Sequence, residues 1–368
     1  MDRALCSAEE ISVCLRNLYE QFGYTAYKMS KFEEYDLYAR NKDFLVSDSV
    51  ITFTDRDGKL MALKPDVTLS IVKNGKDLPW VQKVYYNENV YRVTRGAHGY
   101  REIMQIGLEA MGSIDDYCIC EVLTLAAQSL KQISPDAVLE VSDLSILKEL
   151  TDSLQIPLSK RETLVRFISQ KNAHELASLC RDCGLSGEQT DVLRWLASTC
   201  GTPSEVLPEL ETKLSGFVSQ ETLRRFANVL QALDNEEILR IDFSVVDDIH
   251  YYNGFVFKGF VRGIPESILS GGQYDKLMEK MKRQDRAIGF AVYADLLDRL
   301  EQPGDDYDVD VLLIYDDAAS LAAIRAQAER LRSQGASVMV ARAVPEDLRC
   351  RNVMKFAENE VTVLENNA

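Results

Sequence analysis

In the stretch "MQIGLEA", Gln105, Gly107 and Glu109 alternate with apolar residues, so a β-strand puts all three on one face. An amide and a carboxylate on a shared face are either solvated or form the hydrogen-bonding wall of a pocket, and solvation is the commoner case. Further on, "SVVDDIHYYNGFVFKG" sets two acids, Asp247 and Asp248, ahead of "YYNGFVF", which has the aromatic and β-branched residues of a strand. Metal chemistry is weakly represented. Of eight cysteines only Cys180 and Cys183, in "CRDC", have ligand-like spacing; they fall in a helical pattern with no second pair at zinc-ribbon distance and read as helix-packing thiols. The histidines are His98, His174 and His250, too scattered for a metal triad. Neither metal nor cofactor is expected.

The elements that must position these residues belong to a chain of 368 residues, long enough for two or three domains. Its 46% hydrophobic and 27% charged residues are those of a soluble globular protein. A formal charge of −16 opposes non-specific attraction to a nucleic-acid backbone. The N-terminal stretch is an amphipathic helix pattern containing acids, unlike a secretion signal, and no run approaches the ~18 apolar residues of a membrane span. A cytoplasmic protein is expected, with no membrane contact and no disulfide framework.

Residues 9–22 form a first helix, closed by Gly23. From Tyr24 to about Leu125 short strands and turns alternate; in "ITFTDRDGKLMALKP" two alternating runs flank "DRDG", the chemistry of a hairpin turn. "DYCICEVLTLAAQSLKQI" reads as a helix. Residues 144–233 lack strand texture and carry helical periodicity throughout. Strands return over 238–269; the glycines of "SGGQYD" read by default as turn residues, and "AIGFAVYADLLDRL" is a strand feeding a helix. After the break at Pro303 and Gly304 comes a βαβ-like unit: "VDVLLIY", "AASLAAIRAQAERLRSQGA", "SVMVARA". The order is an α+β domain over 1–303 with a helical insertion at about 144–233, then a small α/β appendix over 304–368.

Five blocks, "GYTAYKMSKFEEYDLY", "TDRDGKLMALKPDVT", "VYRVTRGAHGYREIMQIGLEAMG", "IHYYNGFVF" and "GGQYDKL…AIGFAVYADLL", occur in an order that resembles the core of class II histidyl-tRNA synthetases over about 300 residues. They are more similar still to that enzyme's paralogue, the regulatory subunit of short-form ATP phosphoribosyltransferase. The resemblance implies a six-stranded antiparallel sheet flanked by helices, and a dimer; the proline usual in the first block is here Ser30, which removes one φ constraint. It implies that Asp66, Thr68 and Gln105 face the α-ammonium of a histidine ligand. Glu109 and Tyr252, with Tyr251 beside it, face the imidazole. Arg92 is left to neutralise the carboxylate, and the resemblance puts the glycines of "SGGQYD" close to the pocket floor.

The same resemblance implies that amino-acid activation is lost. The family's acid after Arg92 is missing, with Val93, Thr94 and Arg95 in its place, and Leu296 stands where an arginine stacks on adenine. Asp247 stands where an arginine grips the α-phosphate. A unit charge about 4 Å from a phosphate is worth roughly 4 kcal/mol at an effective dielectric near 20, so reversing its sign disables adenylation even when heavily discounted. The appendix is shorter than the family's anticodon-binding module, with 12 Asp and Glu against 7 Lys and Arg after Gly304, which argues against tRNA. The expectation is a non-catalytic regulatory subunit that forms a homodimer, assembles with the short catalytic subunit and confers feedback by histidine on the first step of histidine biosynthesis. A divergent histidyl-tRNA synthetase and a stand-alone amino-acid-sensing paralogue with another partner are the alternatives.

Overall fold

The computed structural model describes residues 8–45, 50–76, 78–93, 99–234, 237–246, 251–299, 307–316, 319–357 and 360–367. Thr94 and Asp247, two of the positions singled out above, lie outside the described residues, as do Asp248, His98 and His250. The chain divides into two compact units, one within Leu5–Leu300 and one within Glu301–Ala368.

The first unit opens with helix α1 (Ala8–Gln21), whose Ile11, Leu15 and Tyr19 recur at helical spacing and are all buried. Gly23, at φ 81°, ends it in the left-handed conformation. A short strand β1 (Thr25–Ala26) follows. Then comes a three-stranded sheet of β2 (Phe32–Glu34), β3 (Thr52–Thr54) and β4 (Leu60–Leu63), in the order β2-β4-β3, with helix α2 (Tyr35–Arg40) after β2. The hairpin of β3 and β4 turns at Gly58, also left-handed. Where the first block lacks its proline, the Ser30 hydroxyl instead accepts a hydrogen bond from the Phe32 N–H at 3.1 Å.

Helix α3 (Thr68–Asn74) leads to the two longest strands, β5 (Gln82–Val93) and β6 (Tyr100–Gly112), which pair antiparallel along their whole length. Helix α4 (Asp116–Ile133) is capped by Asp115, whose carboxylate accepts from the Cys118 N–H, and it packs on α1 through a Tyr19–Ser129 hydroxyl pair at 3.1 Å. Strand β7 (Val138–Asp143) comes next. It is a central strand that the sequence analysis did not single out.

Residues 144–233 are helical as expected: α5 (Leu144–Ser153), α6 (Leu158–Ser169), α7 (Ala173–Asp182), α8 (Gly187–Ser198), α9 (Pro203–Leu214) and α10 (Gln220–Gln231). One correction applies. Cys200–Gly201 form a two-residue strand, β8, paired with β9 (Leu239–Asp242), because the turn between α8 and α9 runs along a sheet edge. Cys180 is buried in the core and Cys183 packs against it, as helix-packing thiols do.

The remaining strands are β10 (Phe255–Phe260), β11 (Leu269–Gln273) and β12 (Arg286–Tyr293), with helix α11 (Asp275–Lys280) between the last two. The large sheet has nine strands in the order β1-β5-β6-β12-β11-β10-β7-β9-β8. Its six central members, β5 through β7 in that order, are all antiparallel, which is the expected six-stranded core; the edge pairs β1–β5 and β7–β9 are parallel. Three local readings need correction. Tyr251–Gly254 is a turn before β10, not strand; the Asn253 N–H donates to the Gln273 carbonyl and the Phe255 N–H to Gln273 Oε1, each at 3.0 Å. Gly271 and Gly272 lie inside β11, not in a turn, where the close approach of neighbouring strands leaves no room for side chains. After β12 the chain makes a 3₁₀ turn over Ala294–Arg299, not an α-helix.

The second unit contains β13 (Val309–Tyr315), α12 (Leu321–Ser333), β14 (Val338–Ala341), β15 (Cys350–Ala357) and β16 (Glu360–Asn366). The βαβ reading holds for its first three elements. Two further strands, parallel β15 and antiparallel β16, complete a sheet in the order β14-β13-β15-β16. Among the described residues no helix is long and apolar enough to cross a membrane.

Candidate functional site

One face of the large sheet is hollow, and the register explains why. Tyr86, Gly107, Ala291 and Ser270 lie opposite one another across β5, β6, β12 and β11, and Glu109, Gly289 and Gly272 form the adjacent row. Small residues along these rows leave a cavity of about 410 Å³. A Cβ on Gly107 would meet the Tyr86 hydroxyl and the Phe290 carbonyl, and one on Gly289 would fall on the Glu109 carboxylate and the Leu108 carbonyl. Replacing Gly289 by Ala is therefore expected to cost about 1–3 kcal/mol through overpacking and to close the cavity. Denaturant unfolding of the variant checks this; unchanged stability would mean that β6 and β12 can part without penalty.

All seven candidate ligand-binding residues, Asp66, Thr68, Arg92, Gln105, Glu109, Tyr251 and Tyr252, line this cavity. They arrive from four places in the chain: the turn into α3, the end of β5, the inward face of β6 and the turn before β10. Gln105 and Glu109 are 4% and 2% exposed, so the solvated reading of their strand face is wrong. Packing of the α3 region and of the Tyr251–Tyr252 turn over that face decides the matter. Leu296 is elsewhere: it sits on the 3₁₀ turn, packed into the main hydrophobic core, and does not line the cavity.

The two carboxylates of the site are buried. Glu109 accepts hydrogen bonds from Thr68 Oγ1 at 2.8 Å and from Tyr274 Oη at 2.6 Å. Burial nevertheless outweighs those donors, and with the neighbouring Asp66 charge it pushes the Glu109 carboxyl up to about 8. The Asp66 carboxyl is also raised by burial, partly offset by the Leu69 N–H that it accepts at 2.8 Å and by the Arg92 guanidinium. Arg92 Nε donates to the Pro65 carbonyl at 3.1 Å, which ties the end of β5 to the turn carrying Asp66. Tyr251 and Tyr252 stack edge to face at 4.7 Å, and burial raises both phenols, so these rings stay neutral. Asp66 and Glu109 share the lining with the Arg92 guanidinium and the Lys258 ammonium, so charges of both signs meet in the cavity and suit a small zwitterionic ligand with several N–H donors.

Tyr274, Tyr86, Tyr293, Ser270 and the small residues of β12 were missed as wall-forming residues. Tyr274 follows the glycine pair in "SGGQYD", and that juxtaposition was the available signal. Among the described residues one group, Glu140, Cys200 and Asp242, has metal-like clustering, but none of the three lines the cavity, and the Lys171 ammonium pairs with Asp242 at 2.6 Å.

A twisted antiparallel sheet that carries an amino-acid-sized polar hollow on one face, with a helical insertion after its third long element, defines the class II aminoacyl-tRNA synthetase-like fold. Residues 3–297 match the family model described as histidyl-tRNA synthetase, and the chain belongs to that family. A curated relative from Oceanobacillus iheyensis, named ATP phosphoribosyltransferase regulatory subunit, is 27% identical over 299 residues, covering 79% of this chain and 73% of its own. A solved structure from Bacillus halodurans, described as an ATP phosphoribosyltransferase regulatory subunit/histidyl-tRNA synthetase, superposes with a TM-score of 0.75 at 21% identity, over 95% of this chain and 93% of that one. A chain of the ATP phosphoribosyl transferase complex from Thermotoga maritima superposes with a TM-score of 0.60 at 17% identity, over 77% of this chain and 96% of that one. At such identities the two structures speak for the fold alone.

Proposed function

We propose that this chain is the non-catalytic regulatory subunit of a short-form ATP phosphoribosyltransferase, and that histidine bound in the cavity is its feedback signal. The observation that carries this reading is the cavity itself. Its carboxyls, guanidinium and tyrosine rings match what a histidine ligand offers, and by the family resemblance Leu296, packed in the main core, takes the sequence position of the adenine-stacking arginine. The names of the curated relatives support the same reading.

In this arrangement Asp66, Thr68 and Gln105 receive the α-ammonium, Arg92 neutralises the carboxylate, and Glu109 with Tyr251 and Tyr252 faces the imidazole. Phosphoribosyl transfer belongs to the partner. The regulatory chain, as a homodimer, holds the catalytic subunit in its active form, and histidine biases the assembly away from it. Linkage then requires that the partner's ligands change histidine affinity by the same factor that histidine changes theirs.

The test mixes this protein with a purified short catalytic subunit. Co-elution on size exclusion, a higher rate of phosphoribosyl transfer and inhibition by histidine are expected. Failure to co-elute together with an unchanged rate would refute the assignment. A synthetase would instead show histidine-dependent ATP–pyrophosphate exchange, and exchange above background would overturn the non-catalytic reading.

A further inference from the structure

We propose that the cleft between the helical insertion and the segment around α11 is a second ligand site, for a phosphorylated molecule of nucleotide size. The cleft encloses about 920 Å³, within the range of small-molecule sites. Its floor on the insertion side is apolar, made by the buried Leu144, Leu147 and Val165. Its rim is cationic: Lys148, Arg161, Lys276, Lys282, Arg283 and Arg286 face three carboxylates, Asp275, Glu279 and Asp285. In a chain of net charge −16 this is a local reversal of sign.

Two of the three acids are already engaged. Asp275 accepts from Asn253 Nδ2 at 2.9 Å and from the Ala287 N–H at 3.0 Å, and Asp285 accepts from Arg283 Nη2 at 2.9 Å. Arg161 pairs with Asp152, outside the cleft. Lys148, Lys282 and Arg286 are exposed, and their charged ends have no partner among the described residues. Single unpaired lysines are common on surfaces. Three cations converging on one concavity with an apolar floor are not, and together they favour an anion far more than each would alone.

Lys282 adds an independent observation. It sits just beyond α11 at φ 62°, in the left-handed region where glycine would be unstrained. The chain places a long cation at a position that local geometry would give to glycine, and that cation lines the cleft. A phosphate group suits the rim, and a ring system suits the floor.

Tyr252 lines both this cleft and the amino-acid-sized cavity. The next residue, Asn253, is locked to α11 through reciprocal hydrogen bonds with Asp275, from its Nδ2 at 2.9 Å and to its Oδ1 at 2.7 Å. A ligand in either hollow therefore bears on the wall of the other.

The experiment is calorimetric titration of the full chain at low salt with ATP and with tripolyphosphate, in the absence of any amino acid. ATP is expected to bind about tenfold or more tightly than tripolyphosphate, because only ATP can use the apolar floor. Lys282→Gly and the double variant Lys148→Ala/Arg286→Ala should each weaken both probes by about tenfold or more. Lys282→Gly should keep or raise the melting temperature, since glycine relieves the left-handed residue, so its loss of binding is not unfolding. Absence of binding by both probes at millimolar concentration, or binding that these variants leave unchanged, would overturn the site. Equal affinity for the two probes would overturn the part assigned to the floor. Because no histidine enters the titration, its outcome is separate from that of the feedback reading.

Discussion

The unliganded protein is expected to lose roughly 5 kcal/mol of stability between about pH 4 and pH 9 on account of Glu109 alone, and Glu109→Gln should remove that loss. The folded carboxyl titrates at about 8 against an ordinary value of 4.5, because burial disfavours its charge. Between those two values the folded protein keeps a proton that the unfolded chain has released. Stability therefore falls as pH rises through this window and levels off above it. Asp66, also raised by burial, adds in the same direction, so the glutamine variant should keep a shallower slope rather than none. Urea unfolding at pH 5, 7 and 9 measures this; parallel profiles for the two proteins would sink the assignment. A cationic ligand beside Glu109 restores its ionisation. Histidine binding near pH 7 should then release a proton, read as a dependence of binding enthalpy on the ionisation enthalpy of the buffer.

Lys64→Ala should destabilise the fold by about 3 kcal/mol, the lower end of the range for breaking a buried ion pair. Lys64 immediately precedes the turn that carries Asp66, its side chain is 1% exposed, and its ammonium pairs with Glu88 on β5. The Lys64 carbonyl also accepts from the Tyr91 N–H at 2.9 Å, so the two links together hold the ligand-binding turn against the sheet. Removing the ammonium leaves the half-buried Glu88 without its counter-charge, with the Met29 N–H at 3.5 Å as a remaining donor. The estimate stays at the low end because the Glu88 side chain keeps 16% exposure. The double variant Lys64→Met/Glu88→Leu should recover most of the loss, since an apolar pair of similar volume replaces a desolvated one. Denaturant midpoints of Lys64→Ala, Lys64→Met and the double variant decide between an electrostatic cost and a simple cavity, because methionine alone refills the volume but leaves Glu88 without its counter-charge.

Local chemistry was legible wherever one segment determines its own state. The pattern of "DYCICEVLTLAAQSLKQI" set α4, Gly23 ended α1, and "DRDG" turned the β3–β4 hairpin. Strand alternation likewise put Gln105, Gly107 and Glu109 on one face. The family resemblance, carried by five blocks, named the residues that line the cavity. What no segment contains is its covering. Whether the β6 face meets water or a pocket depends on Thr68, 41 residues before Glu109, and on Tyr274, 165 residues after it. The strand character of Gly271 and Gly272 depends on β10 and β12 pressing from both sides, and the 3₁₀ turn at Leu296 on the core beneath it. Periodicity in a sequence reports which side chains share a face. Only the tertiary fold decides what that face is packed against, and with it the desolvation that raises Glu109 and the gathering of distant cations around the cleft of Lys282.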